Sequence, residues 1–331
     1  MSCYRNTILC MLALLAVQGP AIAQVARDTA ADYPNKTVRL VVPFTPGASN
    51  DITSRLIAGK LVQAWGQQIV IDNRAGAGGA VGAETVARAT PDGYTLLASN
   101  PGPNVNNPVM LKKPGYHVED FSSVVIYGYT PLIIAANPSF KPRNPRELAD
   151  YLKANPAAVS WGSTGTGGSA HIALALFQVA TGVDVIHVPY KGAAPGLNEL
   201  VGGMIPLFYT TLTSADVHIK SGRLRILGVA APKRLTQLPE APTLAEFGIK
   251  NAEAINWFGL AAPAKTPRAI IDKLNREVNR VMAMPDVRVR MDQLGVETFG
   301  GSASDADEFV RKEVVRLRQL MQTGLIAPID G

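Results

Sequence analysis

Three glycine-rich stretches stand where an apolar run gives way to a helical pattern, and each could use main-chain N–H groups to hold an anion. "PFTPGASND" (43–51) carries Ser49 and Asn50 as candidate helix caps and Asp51 in the first turn. "NRAGAGGAVGAETVARA" (73–89) places Gly76, Gly78, Gly79 and Gly82 in the spacing G-x-G-G-x-x-G. "WGSTGTGGSAH" (161–171) sets four small hydroxyl residues among four glycines. Glycine lets backbone donors approach a ligand closely. A helix start leaves N–H groups unpaired and carries a partial positive charge. Together these bind phosphate or carboxylate without an arginine.

The stretch at 73–89 fails as a dinucleotide site. The fingerprint G-x-G-x-x-G would need its third glycine where Val81 stands, and an acid at the end of the next strand for the ribose hydroxyls. That strand ends "LLASN", with nothing acidic. These glycines are expected instead to make a tight strand-to-helix turn against a neighbouring loop. The other two stretches are better furnished for a carboxylate. A hydrogen bond to a charged acceptor contributes about 1.5–3 kcal/mol, and each helix start adds about 0.3–1. Four to six such contacts reach the roughly 8 kcal/mol of a micromolar complex after ordering costs.

Enzyme chemistry finds little support. His117, His171, His187 and His218 are the only histidines, no two at i,i+4, so no zinc site is expected. "GASND" and "GGSAH" lack the last glycine of a G-x-S-x-G elbow. No Walker lysine is present, and neither a cofactor nor a catalytic residue is assigned. His171, where a helix begins, either fixes its loop or reaches a ligand. His187 reads as structural on a buried strand; Tyr190 and Trp257 read as core or pocket wall.

The elements that must position these loops alternate along the chain. "VRLVVPF" (38–44), "QIVIDN" (68–73) and "YTLLAS" (94–99) read as strands, with helices at 51–66 and 80–90 between them. "VVIYG" and "LIIAAN" read as two further strands. The helix of 144–156 opens on Asn144, with Pro145 in its first turn and Glu147 placed for a capping box. "VSWGS", a helix over 171–182, "DVIHVPY", "RILGVAA" and a helix over 266–283 continue the alternation. Continuous apolar strands suit burial on both faces. The fold class is therefore α/β, with a mostly parallel sheet in each of two lobes.

Composition sets the setting. Residues 1–23 carry Arg5, an apolar run (8–17) and "AIA" at 21–23, the plan of a cleavable secretory signal. Both cysteines, Cys3 and Cys10, lie inside it, so a mature chain would hold no disulfide. Without Arg5, 31 Lys and Arg face 26 Asp and Glu, a net charge of about +5. That excess is spread out, with no basic block and no interleaved aromatics, and suits anions rather than nucleic acid. "VRKEVVRLRQL" (310–320) reads as an amphipathic helix with a solvated basic face.

In order and spacing, "VVPFTPGASNDITSR", "IDNRAGAGGAVGAETVARATPDGYTLL", "SWGSTGTGGSAHIA" and "DVIHVPYKGAAPGLNELVGG" resemble the extracytoplasmic solute receptors of tripartite tricarboxylate transporters, the Bug-type receptors. The likeness runs from about Tyr33 to the C-terminus. It implies a Venus-flytrap fold of the periplasmic binding protein kind (type II-like): lobe 1 of 24–130 plus 229–331, lobe 2 of 131–228, and a cleft between them. It implies a ligand carboxylate held by Phe44, Ala48, Ser49 and Asp51 from the first loop. Ser163, Thr164, Gly165, Thr166, Gly167 and Ser169 would hold it from the second. Asn100, His171, Tyr190 and Thr210 complete the candidate ligand-binding set. Relatives commonly read "GGQVDLMFD" where this chain has "GGMIPLFYT" (202–210), so Pro206 and Thr210 replace acids.

The expected function is capture of a small carboxylate (dicarboxylate, tricarboxylate or aromatic acid) by a monomeric periplasmic protein. The resemblance makes membrane permease subunits the partner. Presentation of the closed form to a sensor kinase is the alternative, and a secreted hydrolase is the third class.

Overall fold

The computed structural model describes residues 30–324 and 326–329. The signal predicted over 1–23 lies outside the described residues.

Strands β1 (Val38–Val42), β2 (Ile69–Asn73) and β3 (Thr95–Ser99) form a parallel trio with β1 in the middle, Leu40 facing Ile71 and Leu96 in register. Helix α1 (Ser49–Trp65) follows β1 and stops at Gly66, whose left-handed φ of 65° lets its N–H reach Val62 O. Helix α2 (Ala80–Ala87) follows β2. After β3 come a wide turn over 102–106 and the short α3 (Asn107–Met110).

The next strand, β4 (Phe121–Ala136), is one continuous element where two were expected. Its first part pairs antiparallel with β9 (Ile255–Pro263) as far as Pro131. From Leu132 it pairs with β7 (Leu207–Thr211) and β8 (Arg225–Val229). Sequence periodicity cannot show this, because both parts are apolar and only the pairing partners change.

The second half of the molecule holds α4 (Pro145–Ala154), β5 (Ser160–Ser163), α5 (Ser169–Thr181), β6 (Ile186–Pro189), α6 (Ala193–Val201) and α7 (Leu212–Lys220). Asn144 caps α4 as expected, its side chain accepting the Glu147 N–H at 2.9 Å. β5 pairs in parallel with β6 and β7. The parallel pairs thus form the outer part of each half, and the antiparallel crossing strands β4 and β9 join them into one mixed sheet. Helices α8 (Arg268–Met282), α9 (Pro285–Gln293) and α10 (Ala303–Gln322) return the chain to the first half.

Each half has its own core. In the first, Leu40 and Leu96 pack with Ile57 and Leu61 of α1 and with Ile271, Leu274 and Val278 on one stripe of α8. In the second, Trp161 is fully buried and stacks on Tyr209, ring centroids 5.0 Å apart. Leu244, Ile249, Ala252 and Ala254 belong to this second core. A further apolar cluster joins Ile172 and Leu176 of α5 to Trp257 and to Val310, Val314 and Leu317 of α10. Burying each such side chain contributes roughly 1.5–3 kcal/mol. The opposite face of α10 is ion-paired and solvated, Lys312 to Glu308 and Arg316 to Glu313. Among the described residues, no helix is long and apolar enough to cross a membrane.

Candidate functional site

The glycine turn after β2 packs on the glycine loop before α5. A Cβ at Gly78 would fall 2.1 Å from Thr166 O, and one at Gly165 would fall 2.9 Å from Gly78 N. Gly78 also has a φ of 59°, in the left-handed region. Asn107 fastens the same turn, its side-chain amide donating to Ala77 O and Gly78 O at 3.1 Å. These glycines serve close approach of two backbones, one from each half.

Behind that contact a small cavity lies between the halves. Phe44, Ala48 and Ser49 line it from the loop joining β1 to α1, and Asn100 from the end of β3. Thr164, Ser169 and Ala170 face it from the loop and start of α5, and Ala193 from the start of α6. Thr210, Thr211 and Ser214 line it around the start of α7, with Leu132 and Asn256 on the crossing strands. Four helices, α1, α5, α6 and α7, therefore begin at this cavity. α1, α5 and α6 start without a cap from their own N-cap side chains, although Ser214 of α7 takes the first N–H of α1. Their first turns present N–H groups and positive dipole ends to whatever fills the space.

Two hydrogen bonds cross the cavity. Ser49 N–H donates to Ser214 Oγ at 2.9 Å, and Ser169 Oγ donates to Asn256 Oδ1 at 2.6 Å. Two lining polar atoms have no partner: Asn100 Oδ1 and Thr210 Oγ1, on residues 3% and 1% exposed. A buried polar atom without a bond costs about 1–3 kcal/mol, and a ligand group that supplied the bond would recover it.

The candidate residues fall into two groups. Phe44, Ala48, Ser49, Asn100, Thr164, Ser169 and Thr210 line the cavity together. The remainder hold its walls. The buried carboxylate of Asp51 accepts from Gly47 N–H, Arg55 Nε and Asn73 Nδ2, each at 3.0 Å. Burial alone would raise its pKa; the bonds from Arg55, Gly47 and Asn73 outweigh that and hold it below the usual carboxylate range. Asn73 also donates to Phe44 O at 2.9 Å, so this acid pins the first loop from behind.

Ser163 Oγ lies 2.6 Å from His187 Nε2 and accepts the Gly165 N–H. His171 stacks on His187, ring centroids 4.4 Å apart, and its Nδ1 accepts the Gly167 N–H at 3.2 Å. Burial lowers the pKa of both rings; with His171 beside it, His187 is pushed down to about 4. Gly165, Thr166 and Gly167 pack on the facing turn and on Asn107. Tyr190 packs against Phe208 and donates its hydroxyl to Glu199. Trp257 is fully buried in the cluster around α10. Among the described residues, no group of three or more His, Cys, Asp or Glu side chains could hold a metal ion.

Sequence reasoning missed Ser214 and Asn256. The spacing of Thr211 and Ser214, a Ser/Thr pair three apart at a helix start, was a readable cap signal. Asn256 was a single polar residue inside the apolar run of β9. Leu132, Ala170 and Ala193 carried no such signal.

A family model described as the tripartite tricarboxylate transporter family receptor matches residues 53–325. Protein BugT of Bordetella pertussis is 34% identical over 311 residues, which cover 92% of this chain and 95% of BugT. Among solved structures, R. palustris Rpa4515 with adipate is 34% identical with a TM-score of 0.86, covering 90% of this chain and 100% of that one. MatC from Rhodopseudomonas palustris with bound malate is 30% identical with a TM-score of 0.82, covering 86% and 98%.

Proposed function

The chain belongs to the tripartite tricarboxylate transporter receptor family and is a Bug-type solute-binding receptor, and from that premise we propose that it captures a small carboxylate in the cavity between its two halves. The observation that carries this reading is the convergence of four helix starts on one small, uncharged space between the halves. A carboxylate there would take main-chain N–H bonds from α1, α5 and α6 and side-chain bonds from Asn100, Thr164 and Thr210. Similar proteins hold adipate and malate, which supports the same ligand class here.

The proposal includes the setting. The N-terminal segment would direct the protein to the periplasm and be removed. The lobes would pivot where β4 changes partners at Pro131 and Leu132, and again near Ala254 and Ile255 on the return. Ligand binding to the closed arrangement would shift the population toward it, and that form would be presented to membrane permease subunits.

A thermal-shift series with succinate, malate, adipate and citrate tests the reading. A ligand at 100 times its Kd stabilises by about 2.7 kcal/mol, a readable rise in Tm. Ala170→Leu, which fills the cavity, should abolish that rise and leave the unliganded protein folded. No rise with any carboxylate, or an undiminished rise in the variant, would remove the site from the proposal.

A further inference from the structure

Thr45 and Gly192 meet across the two halves. Thr45 follows β1, and Gly192 stands immediately before α6 in the other half. A Cβ at Gly192 would fall 2.5 Å from Thr45 Oγ1 and 3.1 Å from Thr45 N. Close as this contact is, the hydroxyl gains no hydrogen bond from it: Thr45 Oγ1 is buried without a partner. We infer that Thr45 opposes closure of the empty receptor, because its hydroxyl gives up water when the halves meet and receives no bond in return. The inference rests on the pivoting proposed above and adds what holds the ligand-free form open.

The loop that carries Thr45 is fixed on both sides of it. Phe44 O accepts from Asn73 Nδ2, Thr45 O accepts the Ala48 N–H, and the Gly47 N–H donates to Asp51. The facing residue has a φ of 151°, which side chains rarely adopt. Glycine there lets the start of α6 come close enough to exclude water from the hydroxyl. A hydroxyl stripped of water and left unbonded destabilises whichever state buries it. Separation of the halves would carry Gly192 away and return water to Thr45.

Thr45 differs in this from Asn100 and Thr210, whose unbonded atoms belong to residues that line the cavity. Thr45 does not line it, so no ligand group there supplies the missing bond. The penalty falls on the closed form whether the cavity is empty or filled, and ligand contacts must exceed it before the closed form dominates. One hydroxyl outside the cavity thereby lowers the population of closed, empty receptor. It also tunes affinity without touching the ligand.

Thr45→Val keeps the shape of the side chain and removes the hydroxyl. Small-angle scattering on the ligand-free mature protein should find a smaller radius of gyration for this variant than for the unmodified protein. Calorimetric titration with the best ligand of the thermal-shift series should find its affinity about tenfold tighter. Thr45→Ser, which retains the hydroxyl, should match the unmodified protein in both measurements. Should Thr45→Val fail to fold by circular dichroism, Thr45→Ala carries the test. An unchanged radius, or an affinity no tighter than that of the unmodified protein, would overturn the inference. Absence of binding by every carboxylate would strike the carboxylate reading instead and leave the radius to decide. A ligand-free unmodified protein that already has the radius of the closed form would remove the pivoting and the inference together.

Discussion

The hydroxyl of Ser214 accepts the backbone N–H of Ser49 at 2.9 Å, although 165 positions separate the two residues. Each stands in the first turn of a helix, and those helices belong to opposite halves. One side chain thus caps a helix in the other half, so the bond can exist only while the halves are closed. Ser214→Ala should remove about 1 kcal/mol of stability from the closed form. Chemical denaturation measures the loss, and small-angle scattering should find a larger unliganded radius.

Gly78 and Thr166 predict a second effect on closure. The Cβ of Gly78→Ala would fall 2.1 Å from a backbone oxygen that cannot swing aside. Both interiors stay untouched, so the variant should fold while its affinity for any cavity ligand drops at least about tenfold. Calorimetry with the best ligand from the thermal-shift series decides it; unchanged affinity would mean that this contact is not part of the bound form.

The paired histidines predict a pH dependence. Both rings are held neutral by burial, His187 down to about 4. An unfolded chain takes up these protons near pH 6.5. For His187 the unfolded state therefore binds more protons throughout the window from about 6.5 down to 4, and stability falls as pH drops through it; His171, also lowered by burial, adds in the same direction. Above that window the contribution is constant. Protonating His171 at Nδ1 would also set two donors against each other at the Gly167 N–H. His187→Asn should flatten the acid side of a Tm against pH curve relative to the unmodified protein; parallel curves would contradict the pairing.

Asp51 predicts an indirect effect on binding. Asp51→Asn removes the charge and turns an amide donor toward Gly47, Arg55 or Asn73, all of which donate to it now. Stability should fall by about 1–3 kcal/mol, and ligand affinity should weaken although the residue does not line the cavity. Urea denaturation and titration check the two effects separately.

Much of the fold could be read locally. Apolar strands alternating with helices specified an α/β chain, and Asn144 with Glu147 marked a helix start that the structure reproduces. Gly66 and Gly182 end their helices in the left-handed conformation. The loops at 43–51 and 161–171 were legible as candidate binding loops, and both contribute residues to the cavity, because residue types at a helix start express their chemistry within a few positions. The two apolar runs around Tyr127 and Ile133, by contrast, gave no sign of being one strand with two sets of partners.

By itself the sequence determined which segments become strands and helices, and where glycine, serine and threonine cluster at their junctions. Local periodicity and capping act over a handful of residues, so they survive in a bare string of letters. Only the tertiary structure decided that Asp51 turns away from the cavity, that Ser214 and Asn256 enter it, and that the glycines after β2 meet Thr166. Those outcomes depend on distances between residues that are far apart along the chain, set by strand pairing and by how the two halves close.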